Sequence, residues 1–396
     1  MSVTSVSAVQ TGSVRGVQAA VAVLALGGTL PAPLYLLWQK QIQFSEIVLT
    51  LIFGVYFVAA VVALIFFGRL SDQIGRRPVM LLGIVIGIAS TLCLIFAHGL
   101  AMLFIGRFLS GFSVGLVLSA FTTFLSELIP GEDSQSRAAD LSTITELLGL
   151  GAGPIVAGIM AQYLGLPTLA CFYALLALLL LALLPAYFAP ETLAQRKPLS
   201  LQPQLAMPEG KEAVFFSLAA AGFCMFAMIG LFTSLVPSVL AERLHNPNHA
   251  IAGAVAFELF LVAAISAAAL RHVASGPAIL TSLILIPLGL ILLLLGINRP
   301  SIWLFVAGTA VEGLAIGLGF ANTLRAVNQQ VGSEERARVL SLYFVVTYTA
   351  AMLPVIGMGL ITQFANPIAA DFTFACIIGL LAITAAIARV SGSAAR

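Results

Sequence analysis

Charge is what this sequence has least of: only 9% of its 396 residues are Asp, Glu, Lys or Arg, against roughly 25% in a soluble domain. Such a chain has too little polar surface to face water, so the bilayer must be its solvent. The 60% of hydrophobic residues agree with that. Cysteine is scarce too. Cys93, Cys171, Cys224 and Cys376 stand in four different apolar runs, and no two have metal or redox spacing. Histidine is equally rare, and Pro247 between His245 and His249 argues against a helical metal face there. There is no phosphate loop, metal cluster or catalytic triad, so neither an enzyme nor a cofactor is expected. A net charge of +2 marks no nucleic-acid partner.

What is present is a series of long apolar runs. A spanning helix needs about 20 such residues, and breaks at charged residues, Pro, Asn and Gly clusters divide the chain into twelve candidates. They lie near 17–38, 46–68, 78–98, 101–128, 138–164 and 167–189, then 212–240, 249–271, 276–296, 302–328, 337–365 and 367–389. The first fifteen residues are polar and no small-residue cleavage site follows the first run, which is expected to stay as a signal anchor. Between the two sets of six lies the long polar stretch 190–211, with Pro190, Pro198, Pro203, Pro208, Arg196, Lys197 and Lys211. It reads as a linker between halves 1–189 and 212–396.

The basic residues orient these spans. With both termini in the cytoplasm, that side carries Arg15, Arg69, Arg76, Arg77, Arg137, Arg196, Lys197, Lys211, Arg271, Arg336, Arg338, Arg389 and Arg396. The opposite side carries Lys40, Arg243 and Arg299. The halves also resemble each other at an offset of about 200 residues, as repeats in transporters do. Ser134-Gln-Ser-Arg137-Ala-Ala-Asp-Leu-Ser142 matches Ser333-Glu-Glu-Arg336-Ala-Arg-Val-Leu-Ser341. Leu103-Phe104 recurs as Leu304-Phe305, the Gly111/Gly115 pair as Gly313/Gly317, and Pro154 as Pro354.

The most specific segment joins the second and third runs: Gly68-Arg69-Leu70-Ser71-Asp72-Gln73-Ile74-Gly75-Arg76-Arg77-Pro78. It resembles the cytoplasmic loop signature of the major facilitator superfamily, G-x-L-x-D-x-x-G-R-R/K, at every defining position. That resemblance implies an all-α membrane protein of two six-helix bundles related by a pseudo-two-fold axis, moving a small solute by alternating access. It also implies that Asp72 latches against the neighbouring half while Arg76 and Arg77 help hold the cytoplasmic side shut. A carboxylate at a helix N-terminus gains from the dipole, and Gly75 permits a tight turn. The plain alternative is a turn whose arginines only satisfy the orientation rule. In the second half His272 stands where Asp72 stood, so any latch is asymmetric.

Arg107 lies inside the fourth run, where an arginine is costly and marks a functional hypothesis. It is similar to the family's span-4 arginine, often placed in proton coupling; otherwise it snorkels to the outer interface. Gly111-Phe-Ser113-Val-Gly115 formally matches a hydrolase elbow, but that motif needs a strand before it. Here the glycines suit close helix packing instead. In the fifth run, Gly149, Gly153, Pro154 and Gly158 resemble the antiporter motif of drug/proton exchangers. Ala157 and Asp140 depart from it, and a simple Gly/Pro kink is the alternative.

Proton coupling needs a carboxylate in low dielectric. Glu146, Glu258 and Glu312 lie within runs 5, 8 and 10, with Glu312 about 15 Å from its membrane face at 1.5 Å per residue. In the family's arrangement all three could face the cavity, or each could serve a structural hydrogen bond. Possible cavity lining comprises Tyr35, Trp38, Phe223, Phe226, Asn322, Arg325, Tyr343 and Tyr348. The expectation is a monomeric inner-membrane antiporter using protons to expel a small lipophilic or cationic compound, with Glu312 or Glu258 taking the proton. The alternative is a proton symporter importing a sugar or organic acid, with Arg107 and Arg325 on an anion.

Overall fold

The computed structural model describes residues 3–164, 167–193, 195–200, 202–203, 205–330 and 335–394. The first half contains α1 (Val3–Thr29), α2 (Tyr35–Ile42), α3 (Glu46–Phe67), the short α4 (Leu70–Ile74), α5 (Arg76–Ile95), α6 (Leu100–Leu128), α7 (Ser134–Tyr163) and α8 (Pro167–Phe188). The second contains α9 (Glu212–Ser234), α10 (Val236–Glu242), α11 (His249–Ala269), α12 (Ser275–Asn298), α13 (Ile302–Gln330), α14 (Arg336–Phe364) and α15 (Pro367–Ala394). Among the described residues, twelve helical segments are long and apolar enough to cross a membrane. Helices are the form in which a spanning segment satisfies its own backbone polar groups.

The first segment is longer than its apolar run, reaching Gly12–Ile42, and it is broken. Pro31 and Pro33 each remove a backbone donor, so α1 gives way to a single 3-10 turn at Ala32–Leu34 before α2. Thr29 ties the break to α7 by donating to the Leu150 carbonyl at 2.6 Å. The seventh segment breaks at the equivalent place, where α9 ends at Ser234 and Pro237 opens α10. Between α10 and α11, His245 adopts a positive φ of 52°. The Asn248 side chain then caps α11 by accepting from the Ala250 and Ile251 amides. Among the described residues no cluster of His, Cys, Asp or Glu could hold a metal. The loop half of the second repeat, Ser333-Glu334, lies outside the described residues.

Packing repeats across the halves. In the first, α6 lies on α3 and α5, α1 on α7, and α8 on α1 and α5; in the second, α13 lies on α11 and α12, α9 on α14, and α15 on α9 and α12. Glycines set the closest approaches. Gly111 and Gly115 of α6 lie against the Tyr56 and Ala60 backbones of α3, where an added Cβ would strike the carbonyl oxygens. Gly313 and Gly317 of α13 stand in the same relation to Leu259 and Ala263 of α11. The halves meet along two seams, α7 on α11 and α3 on α14.

Adding one methyl at Gly111 forces α6 off α3, an overpacking cost of about 1–3 kcal/mol. Gly111→Ala is therefore expected to lower the unfolding temperature of the detergent-solubilised protein. Gly276→Ala, at a position with nothing within 4 Å of the new methyl, should leave it unchanged.

Candidate functional site

A central cavity lies between the halves, walled by α1 to α3, α6 and α7 on one side and α9, α13 and α14 on the other. It contains about 730 Å³ of atom-free space, counting its open mouth. A cluster of aromatic rings forms part of the wall. Tyr56 and Phe57 meet edge to face at 5.0 Å, Phe57 reaches Tyr348 across the seam at 5.8 Å, and Phe226 touches Tyr348 at 5.6 Å and Phe320 at 5.4 Å.

Into this wall project a guanidinium and a carboxylate. Arg107 is 1% exposed, so it does not snorkel to an interface. Its Nη1 donates to the Gly28 carbonyl at 2.7 Å, and its guanidinium carbon lies 4.5 Å from the Tyr56 ring centroid. Gly28 is in the last turn of α1, where carbonyls lack helical donors, so the proline break creates the acceptor that holds Arg107. Glu146 of α7 lines the same cavity within electrostatic reach of Tyr56 and Tyr348.

The other two glutamates sit elsewhere. Glu312 is fully buried inside the second half. It shares a stripe of α13 with Gly308, Ala315 and Gly319, and that stripe packs on α12: Gly289 faces the carboxyl, and Ser282 donates to the Ala315 carbonyl at 2.8 Å. Among the described residues neither Glu312 oxygen has a hydrogen-bond partner. Glu258 is half-buried on the stripe of α11 that also carries the exposed Ala254 and Ile265. Phe257 and Leu259 on either side take the contacts to Gly151 of α7 and Gly313 of α13. Neither Glu258 nor Glu312 lines the cavity.

Of the aromatic and amide candidates, Tyr35, Phe226 and Tyr348 line the cavity. Trp38 is core, stacked on Phe172 at 5.7 Å. Phe223 packs at the edge of the core. Tyr343 is buried, with its hydroxyl 2.7 Å from Thr323 Oγ1. Asn322 accepts from Ser275 at 3.1 Å and from Arg325 at 3.3 Å. Arg325 also pairs across the halves with Asp140 at 3.9 Å. In the antiporter-like run, Gly149 and Gly153 pack on α1, whereas Gly158 packs on His249, and Pro154 presents its carbonyl to Gly253 of α11.

The loop motif forms a second centre around Arg76. Its guanidinium pairs with Asp72, holds Glu127 through both nitrogens of one edge at 3.1 and 3.3 Å, and donates to Ser71 at 2.7 Å. Glu191, beyond the end of α8, caps α5 by accepting from the Arg76 and Arg77 amides at 3.0 and 3.2 Å. Gly75, at φ 117°, is required twice over, because a Cβ there would also strike the Glu191 carboxylate. Arg77 lies over the Tyr187 ring at 4.7 Å. Gly68 is crowded by the Leu64 carbonyl, with Ser341 of α14 at 3.9 Å from a Cβ built there.

The linker supplies the remaining partners. Lys197 pairs with Asp72 at 3.2 Å and Gln73 donates to the Ser200 carbonyl at 3.1 Å. Farther along, the Ala206 amide bonds the Arg338 carbonyl at 3.3 Å, and Lys211 reaches the Gln330 carbonyl at 2.7 Å. Asp72 thus finds Arg76 and Lys197 as its partners, and the linker that carries Lys197 goes on to bond the second half. Sequence reasoning missed Glu127, Glu191 and this strap. The signal was the clustering of acids at span ends on the side already rich in arginine.

A bundle of twelve apolar helices with a cavity walled by both repeated halves has the architecture of a membrane transporter. The family model of the Major Facilitator Superfamily matches residues 19–277, and the chain belongs to that superfamily. It is 26% identical over 285 residues to the multidrug resistance protein MdtL of Klebsiella pneumoniae (strain 342), covering 70% of this chain and 71% of that one. It is 28% identical to MdtL of Citrobacter koseri over 50% of this chain and 51% of that one. It is 29% identical to the sugar transporter ERD6-like 6 of Arabidopsis thaliana over 27% and 20%. Its fold is similar to the human organic anion transporter MFSD10 (TETRAN), with a TM-score of 0.70 and 17% identity over 96% of this chain and 99% of that one. A POT family transporter in complex with 5-aminolevulinic acid gives 0.73 and 13% identity over 94% of each chain.

Burial by itself would raise the Asp72 carboxyl, but hydrogen bonds and charge from Arg76 and Lys197 outweigh it and hold it below its ordinary value. A depressed folded value stabilises above the unfolded range and is lost as pH falls through it. Asp72→Asn should therefore lower the unfolding temperature between pH 5 and 8 by a constant amount, and the difference should shrink below about pH 4. Arg76, 7% exposed, serves three side chains, whereas Lys197 is 68% exposed. Arg76→Ala is expected to cost about 1–3 kcal/mol and Lys197→Ala under about 1, read by denaturation in detergent.

Proposed function

We propose that the protein is a proton-coupled exporter of small lipophilic or cationic compounds, monomeric, in the inner membrane with both termini cytoplasmic. The single observation that carries this reading is the carboxylate of Glu146 in an aromatic cavity between the halves. An aromatic wall accepts apolar bodies of varied shape and favours cations over its ring faces. A carboxylate there can hold either a proton or a cationic substrate. Relatives named for multidrug resistance support the same direction, as does the Gly/Pro run of α7, which packs on α1 through Gly149 and Gly153 and on α11 through Pro154 and Gly158.

In this mechanism residues 1–189 and 212–396 rock about the two seams while residues 190–211 link them. A proton arriving from outside neutralises Glu146 and releases the substrate there. Return of the cavity to the cytoplasm lets substrate displace the proton. Arg107, fixed between Gly28 and Tyr56, keeps a cation on the same cavity. The ion network around Arg76 and Glu191, with the linker strap, holds the cytoplasmic end of the first half rigid during the motion.

A second reading, a proton symporter for an organic acid, is favoured by the same Arg107, which offers a cation to an anionic substrate inside the cavity. The sign of substrate movement under an imposed pH gradient separates the two.

In proteoliposomes, an inside-acid gradient should drive lipophilic cations inward through molecules whose cytoplasmic face points outward. Glu146→Gln should cut gradient-driven flux at least about tenfold, equivalent to 1.4 kcal/mol, while Glu258→Gln, on the outward stripe, keeps it. Flux that ignores the gradient, or that survives Glu146→Gln intact, would sink the proposal.

A further inference from the structure

Among the described residues, two buried polar atoms on side chains of the cavity wall have no hydrogen-bond partner. Tyr35, at the start of α2, is 1% exposed and its hydroxyl has no hydrogen-bond partner. Arg107, also 1% exposed, uses Nη1 on Gly28, but its Nε has none. Both line the cavity, and the two side chains lie within electrostatic reach of one another. Buried polar groups in native structures are almost always bonded, so two orphans on one cavity wall call for an explanation.

The chemistry of the orphans selects what can satisfy them. A guanidinium has donors and no acceptor, and a tyrosine hydroxyl also donates. Their shared partner must be an acceptor. The surrounding wall of Phe53, Phe57, Phe226 and Tyr348 is ring surface, which suits a flat apolar body. Glu146 lies on the same cavity and would meet a basic nitrogen on the same molecule.

We propose that Tyr35 and Arg107 form a donor subsite that binds a carboxylate or carbonyl oxygen at one end of an aromatic substrate. The subsite rests on the reading of this cavity as the substrate site, but not on the direction of transport or on protons. Substrates would then be aromatic amphiphiles with an acceptor head, and a lipophilic cation without one would bind more weakly.

The test uses the purified full-length protein and three probes on one ring system: 2-naphthoate, 2-naphthamide and 2-naphthylmethylamine. Binding is measured by calorimetry at neutral pH on the Glu146→Gln variant, in which the amine has no carboxylate to pair with. The carboxylate and the amide should each bind at least about tenfold more tightly than the amine, the difference of one charge-assisted hydrogen bond. Tyr35→Phe should weaken both acceptor probes about fivefold and Arg107→Gln should weaken them further, with the amine unchanged by Tyr35→Phe. Tyr35→Phe deletes a group bonded to nothing, so the unliganded variant should unfold at the same temperature as the parent or higher. The proposal is overturned if the amine binds as tightly as the acceptor probes, if Tyr35→Phe leaves their affinity unchanged, or if neither acceptor binds saturably at millimolar concentration. A flux that ignores the pH gradient would remove the export reading and leave the probe order intact, so the two failures are distinguishable.

Discussion

The hydrocarbon interior of a bilayer offers no water to an unpaired backbone group, and the rest of the structure follows from that. Each crossing must close its own hydrogen bonds as a helix, and helices cannot be drawn together by a hydrophobic effect that lipid already satisfies. Close van der Waals contact has to hold them. The glycines of α6 and α13 supply it by letting carbonyl oxygens of α3 and α11 approach where a methyl would not fit. The same pairing in both halves gives the repeat a physical meaning, because each half is built on the same glycine-spaced contact.

Where the backbone departs from the helix, the exposed groups are put to use. The proline break after α1 leaves the Gly28 carbonyl to Arg107 and the Thr29 hydroxyl to Leu150. A structural necessity thereby positions a charge in the cavity. The polar inventory of the interior is small, so each buried polar atom counts: among the described residues, the Glu312 oxygens, the Tyr35 hydroxyl and Arg107 Nε are among those with no hydrogen-bond partner, and packing alone does not explain them.

At the loop end water and charge return together. Arg76 becomes the hub of an ion network, and Glu191 turns the start of α5 into a capped terminus. The linker is part of this network, bonded to the first half through Lys197 and Ser200 and to the second through Ala206 and Lys211. A connection of this kind touches both halves. It also explains why Asp72, with Arg76 and Lys197 beside it, needs no partner on α14.

Composition and run length were enough to read the twelve crossings, because a helix in lipid answers to the local apolar content of its own segment. The loop signature and the glycine pairs were legible because each is a spacing along one short stretch of chain. Azimuth was not legible. Glu146, Glu258 and Glu312 all looked equally able to face a cavity, yet Glu146 faces it, Glu258 sits on the outward stripe of α11, and Glu312 points at Gly289. In a soluble helix a polar stripe betrays the outer face, but lipid and protein interior are equally apolar, so hydrophobic pattern carries little information about rotation. Sequence alone therefore determined how many helices cross and which of them carry charge. Only tertiary packing, through which glycine meets which carbonyl, decided which of those charges share a cavity.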